Sequence, residues 1–165
     1  MDIRQAIPSD AENILSIYRS IVEDTTISFE TCPPTAEEIS RRIVSILSSH
    51  EWLVAHDNDG ITGYAYASKY RPRQAYRYAV ETTIYVHQRC RGQGLGKRLY
   101  STLFSSLDSL GFHSMYAGIA LPNPASIALH EAVGFEPIGV FKDAGFKFEQ
   151  WHDVSWWQRP VSLTD

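Results

Sequence analysis

The segment Thr82-Thr83-Ile84-Tyr85-Val86-His87-Gln88-Arg89-Cys90-Arg91-Gly92-Gln93-Gly94-Leu95-Gly96-Lys97 decides how the 165-residue sequence is read. It opens with residues that favour a half-buried strand. Three alternating glycines follow, and then Leu95, Leu99, Leu103, Leu107 and Leu110 recur at helical spacing as far as Gly111. A strand that passes through glycines into a helix presents unpaired backbone N–H groups at the positive end of the helix dipole. That arrangement is an anion site, and glycines let a phosphate approach the backbone without meeting a Cβ. Arg89, Arg91 and Lys97 add positive charge. The segment is therefore expected to hold a phosphorylated ligand.

The common nucleotide motifs do not fit. A P-loop needs glycine five positions before Gly96 and Ser or Thr after Lys97, where this chain has Arg91 and Arg98. The dinucleotide fingerprint needs a third glycine at Lys97 or at Leu99, depending on where it begins.

Outward from this segment, strands and helices are mixed. Asp2 to Ala6 reads as a strand, and Ser9 with Glu12 as a reciprocal cap on a helix carrying Ala11, Ile14, Leu15, Tyr18, Ile21 and Val22. Thr35 with Glu38 repeats the cap before Ile39, Ile43, Ile46 and Leu47. Trp52 to His56 and Ile61 to Ser68 are strand-like runs about an Asp57-Asn58-Asp59-Gly60 turn, and Ala79 to Val86 is another strand. Ser114 to Ala120 is a strand, and Asn123-Pro124 starts a helix that ends near Gly134. Strands around Glu136 to Phe141 and Phe146 to Trp157 flank a turn at Asp143-Ala144-Gly145. The pattern predicts one α+β domain over residues 1–165, a mostly antiparallel mixed sheet with helices on both faces.

Composition narrows the function classes. A net charge of -4 gives no electrostatic reason to expect nucleic acid. No apolar stretch approaches the roughly 20 residues that span a bilayer, and Met1-Asp2-Ile3-Arg4 lacks a secretion-signal core. Two cysteines, Cys32 and Cys90, are too few for a disulfide framework. A soluble protein of the reducing cytoplasm is expected, with no membrane or nucleic-acid partner and no metal.

Arg89-x-x-Gly92-x-Gly94 resembles the pyrophosphate-binding signature of the GNAT superfamily of N-acetyltransferases, and Asn123-x-x-Ser126-x-x-Leu129-His130-x-x-x-Gly134-Phe135 resembles a second feature of that family. Phe29, Cys32-Pro33, Arg71-x-Arg73-x-Ala75-Tyr76, Glu81-Thr82-Thr83, Leu121-Pro122-Asn123, Ala144-Gly145-Phe146-Lys147 and Trp151-His152-Asp153-Val154 are similar to its phosphinothricin N-acetyltransferase branch. The resemblance implies the acyl-CoA N-acyltransferase fold, acetyl-CoA as cosubstrate and a homodimer. It also implies transfer to the α-amino group of a glutamate- or methionine-like acceptor. By the same resemblance Arg91, Gly92, Gln93, Gly94, Leu95, Gly96 and Lys97 would take the pyrophosphate, and Ile84, Tyr85 and Val86 the pantetheine arm. Asn123 would contact that arm or cap its helix, with Ser126 beside it. Phe29, Arg71, Arg73, Tyr76, Thr83 and Tyr85 would meet the acceptor.

Acetyl transfer to an amine needs a base, because an α-ammonium group is mostly protonated at neutral pH. Glu81, just before the strand segment assigned to the arm, is the candidate. His130 stands where many GNAT enzymes have a tyrosine; a histidine titrates near neutrality and is open to either role, acid or base. A backbone N–H, such as that of Val86, would stabilise the oxyanion. Arginine forks suit an acceptor carboxylate or phosphinate, although an Arg-rich loop is as readily a solvated one. Cys90 reads as a passive thiol, and Trp151, Trp156 and Trp157 as core or subunit-interface residues. Two competing expectations are acetylation of another small amine or a peptide N-terminus, and a binding module without turnover.

Overall fold

The computed structural model describes residues 1–159, and among these the chain forms seven strands and four α-helices. In chain order they are β1 (Asp2–Gln5), α1 (Ala11–Asp24), α2 (Ala36–Leu47), β2 (Trp52–Asp57), β3 (Gly60–Lys69), β4 (Ala79–Val86), α3 (Leu95–Ser109), β5 (Ser114–Ala120), α4 (Pro124–Ala132), β6 (Glu136–Lys147) and β7 (Gln150–Arg159). The strands form one sheet in the order β1-β2-β3-β4-β5-β7-β6. β4 and β5 run parallel, and the other neighbours are antiparallel. The mixed, mostly antiparallel sheet expected from the sequence is the one the chain adopts.

Alternation along the strands sends side chains to two cores. Leu53, Ala55, Ala65, Ala67 and Val80 meet the Leu95, Leu99, Leu103 and Leu107 stripe of α3. Trp52, Val54 and Tyr64 meet Ile14, Tyr18 and Ile21 of α1 and Ile39 and Ile43 of α2. Helices therefore cover both faces. Gly63 lets α3 sit close: a Cβ there would lie 3.0 Å from the Tyr85 carbonyl oxygen and 3.3 Å from Leu99 Cδ1.

The parallel pair positions the site. β4 and β5 pair from Ala79 with Ser114 to Glu81 with Tyr116, and there the ladder ends. Beyond it β4 stays on β3 as far as Val86, while β5 stays on β7 as far as Ala120. The strands part, and the backbone groups of Thr82–Val86 that face β5 have no ladder partner.

Most element ends follow the sequence. The Thr35 hydroxyl accepts the Glu38 N–H, the Asn123 carboxamide accepts the Ser126 N–H, and Gly111 and Gly134 close α3 and α4 at φ 82° and 88°. Two expectations differ. Ser9 and Glu12 form no reciprocal cap; Pro8–Asp10 make a 3-10 turn, in which the Asp10 carboxylate accepts the Ile7 N–H at 2.8 Å and pairs with Arg4 at 2.7 Å. A carboxylate already held by a β1 cation outcompetes a serine. The final hairpin turns at Phe148-Glu149, with φ 53° and 60°, and not at Asp143-Ala144-Gly145. The latter residues are a bulge within β6, where the register shifts between Phe141 and Gly145 and Asp143 has φ 48°. Asp-Ala-Gly suits either feature, which is why the sequence misplaced the turn.

Filling the space over Gly63 tests the packing. Gly63→Val should cost about 1–3 kcal/mol of stability in denaturant unfolding, because the Tyr85 carbonyl is fixed in the sheet and cannot yield. An unchanged midpoint would contradict the close seating of α3.

Candidate active site

Two cavities meet where β4 and β5 part. One has a volume of about 640 Å³ and the other about 290 Å³, and they share Ile27, Ile84, Tyr85, Asn123 and Ser126. The larger runs from the gap to the start of α3, past Val86, Arg91 and Lys97.

The glycines of this cavity have two separate reasons. Gly92 and Gly94 have φ 73° and 78°, a left-handed backbone that side chains rarely adopt, and no atom lies within 4 Å of where a Cβ would be. Gly96 is different. A Cβ there would fall 2.9 Å from Leu129 Cδ2, so this glycine serves the contact of α3 with α4. Within α3, Arg98 N–H bonds the Gly94 carbonyl at 3.2 Å, which leaves the N–H groups of Leu95, Gly96 and Lys97 without intrahelical acceptors. With the exposed Arg91 and Lys97 side chains, this donor set fits a diphosphate. Two flanking residues point elsewhere. Arg89 is not free to bind an anion: its guanidinium holds Asp57 at 3.0 Å and Asp59 at 3.3 Å, tying the loop to the β2–β3 turn. Gln93 lines neither cavity; its carboxamide donates to the Arg89 carbonyl at 2.8 Å and closes the loop.

The smaller cavity gathers Glu81, Thr83 and Tyr85 from β4, Phe29 from the α1–α2 loop, and Tyr100 and His130 from α3 and α4. Alternation puts Glu81, Thr83 and Tyr85 on the α1 face of the sheet and Thr82, Ile84 and Val86 on the α3 face. Glu81 and the Tyr100–His130 pair thus reach the gap from opposite faces. Burial pushes the Glu81 carboxyl above its ordinary value, and the Arg71 guanidinium pulls it partly back. Asn123 caps α4 through Oδ1, 3.1 Å from the Ser126 N–H, and also lines both cavities.

His130 is 3% exposed, with both ring nitrogens engaged. Nδ1 lies 2.7 Å from the Ser126 carbonyl, an obligate acceptor, so Nδ1 carries the proton. Nε2, 2.8 Å from the Tyr100 hydroxyl, is then the acceptor of that O–H. Burial lowers the His130 pKa from its ordinary value, against the raising effect of the Ser126 carbonyl. Burial raises that of Tyr100. The pair is neutral at neutral pH, and Tyr100 presents the hydrogen-bonding oxygen.

Arg71, Arg73 and Tyr76 are exposed and line a separate depression with Tyr70 and Pro72. The chain does not bring them into the cavity that holds Glu81, although the field of Arg71 reaches that carboxyl. The sequence reading missed Tyr100, Ser28 and Trp156, all of which line the smaller cavity. For Tyr100 a signal existed: Gly96, Tyr100 and Phe104 form a second stripe beside the leucines, facing Leu129, His130 and Phe135. Trp157 is buried in the core as expected, whereas Trp151 is 61% exposed.

Residues 3–156 match the family described as "Acetyltransferase (GNAT) domain". The chain is 38% identical over 163 residues to a phosphinothricin N-acetyltransferase of Streptomyces viridochromogenes, covering 99% of this chain and 89% of that protein. It is 33% identical over 159 residues to an L-methionine sulfoximine/L-methionine sulfone acetyltransferase of Salmonella typhimurium, covering 96% and 93%. A crystal structure of a phosphinothricin acetyltransferase from Sinorhizobium meliloti in complex with AcCoA superposes with a TM-score of 0.92 at 40% identity, covering 99% of this chain and 91% of that one. With a split parallel pair, a glycine-led helix start and these relatives along its length, the chain belongs to the GNAT superfamily of N-acetyltransferases, in its phosphinothricin N-acetyltransferase-like branch.

Proposed function

We propose that the chain transfers the acetyl group of acetyl-CoA directly to the α-amino group of a small glutamate- or methionine-like acceptor, of the phosphinothricin, methionine sulfone or methionine sulfoximine type. The observation that carries this reading is the junction of the two cavities at Ile84, Tyr85, Asn123 and Ser126, beside Glu81. Acetyl-CoA supplies the activated acyl group. The N–H groups of Leu95, Gly96 and Lys97, with the Arg91 and Lys97 side chains, hold the diphosphate. The backbone groups of Ile84–Val86 that face the gap align the arm, and a backbone N–H there steadies the developing oxyanion.

Glu81 takes the proton of the acceptor ammonium. The α-ammonium of a free amino acid is mostly protonated at neutral pH, so a carboxyl raised above the ordinary range is a better-matched base than a solvated one. Tyr100 is too weak an acid to pass its proton fully to a departing thiolate, since a thiol titrates near 8.5 and Tyr100 is held above the ordinary 10. Its one O–H is given to His130 Nε2, so toward the gap Tyr100 offers only oxygen lone pairs, and coenzyme A leaves as the thiolate. The Arg71 charge biases the approach of an anionic acceptor.

Glu81→Gln should lower kcat by roughly 10²–10⁴-fold in a thiol-release assay with methionine sulfone or phosphinothricin, while calorimetry shows acetyl-CoA binding as in the wild type. Retained turnover would remove Glu81 as the base.

The field of Arg71 gives a pH prediction with a definite sign. Glu81 acts when deprotonated, and Arg71 favours that form. Arg71→Gln should therefore move the acid limb of kcat/KM to higher pH. A limb that stays or moves down would contradict the coupling.

We also propose a homodimer. β6 is a sheet edge that exposes Ile138, Val140, Phe141 and Phe146, with the exposed Trp151 ring 5.2 Å from that of Phe146. An edge strand with several exposed apolar side chains favours association. Light scattering should give twice the 18.7 kDa chain mass, and Phe146→Glu with Trp151→Glu should reduce it to one. A wild-type monomer would overturn this part.

A further inference from the structure

We propose that Lys147 is a positioning residue that sets the acceptor wall of the smaller cavity from the far end of the sheet, an inference that rests on reading this cavity as the acceptor site. Lys147 is the last residue of β6 and 3% exposed, which is unusual for a lysine. Its ammonium donates to the Val22 carbonyl at 2.6 Å and to the Ser28 carbonyl at 2.7 Å, more than a hundred residues away in sequence. Val22 lies in the last turn of α1, where carbonyls lack helical donors and a cation is favoured by the helix dipole. The Phe148 ring lies 5.0 Å from the Lys147 nitrogen. One ammonium thus caps α1 and fastens the loop that follows it.

That loop carries Ile27, Ser28 and Phe29 into the cavity. Its neighbours fix it further: Ser28 Oγ is 2.7 Å from the buried Tyr18 hydroxyl, and Glu30 pairs with Arg42 at 2.6 Å. Phe29 rests on Gly145, where an added Cβ would overlap its ring. The bulge at Asp143 is what gives β6 the register that puts Gly145 under Phe29 and Lys147 into the interior. The Lys147 carbonyl in turn accepts His152 Nε2–H at 2.9 Å, locking the strand end to β7. The β6–β7 hairpin therefore fixes the position of Phe29 with respect to Glu81, although none of residues 143–147 lines the cavity. A methionine could fill the volume of Lys147 but could not bridge two carbonyls. An arginine could donate to both.

The test compares Lys147→Met, Lys147→Arg and Gly145→Ala with the wild type in the full chain. It measures KM for methionine sulfone, KM for acetyl-CoA and amide hydrogen exchange of residues 25–30. Lys147→Met should raise the acceptor KM by roughly 10-fold or more, with a far smaller change for acetyl-CoA and faster exchange in residues 25–30. Lys147→Arg should recover part of the acceptor KM. Gly145→Ala, which keeps the ammonium but displaces Phe29, should raise the acceptor KM as well. An unchanged acceptor KM with unchanged loop exchange in Lys147→Met overturns the proposal. So does an equal rise in both KM values with a lowered Tm, the mark of general destabilisation. If the wild type itself acetylates no acceptor, the acceptor reading fails, and exchange in residues 25–30 alone then decides whether Lys147 holds the loop.

Discussion

The separation of β4 from β5 after Glu81 and Tyr116 is the constraint on which the rest depends. Parallel strands that stay paired satisfy one another's backbone groups; strands that part expose them to whatever fills the gap. β4 can leave β5 because it keeps its ladder with β3 as far as Val86, and β5 can leave β4 because β7 holds it as far as Ala120. The gap is thus built without loss of either strand. It opens next to the start of α3, so the backbone groups of β4 that face the gap and the N–H groups that begin α3 line one cavity, the path along which the proposed coenzyme would lie.

The electrostatics of the site follow from depth. Glu81 is half-buried and near one cation, which leaves it ionisable but raised. His130 is buried with its Nδ1–H given to a main-chain carbonyl, which fixes its tautomer and leaves it a neutral acceptor for Tyr100. His130, which the sequence offers as an acid or a base, sits in place with Nδ1 2.7 Å from the Ser126 carbonyl and Nε2 2.8 Å from the Tyr100 hydroxyl. In the proposed reaction the proton chemistry rests on the Glu81 carboxylate.

What the sequence revealed, and what it hid, has physical reasons. Strand and helix existence was legible because the leucine stripe of α3, the β-branched run of β4 and the Thr35 and Asn123 caps are local signals that tertiary packing supports. The glycine-led start of α3 was legible for the same reason. The local pattern failed where a distant charge decided the outcome: Asp10 was captured by Arg4, and Arg89 by Asp57 and Asp59. It failed also where one tripeptide fits two backbone devices, as Asp143-Ala144-Gly145 does. The contribution of Lys147 is visible once the fold brings residues of β6 against the end of α1.

The most direct test of the split-strand account is an amide-resolved NMR titration with coenzyme A. The account predicts that the amides of Ile84–Val86 and Gly92–Lys97 shift together and saturate at one ligand per chain. Shifts confined to other parts of the sheet, or none at all, would contradict it.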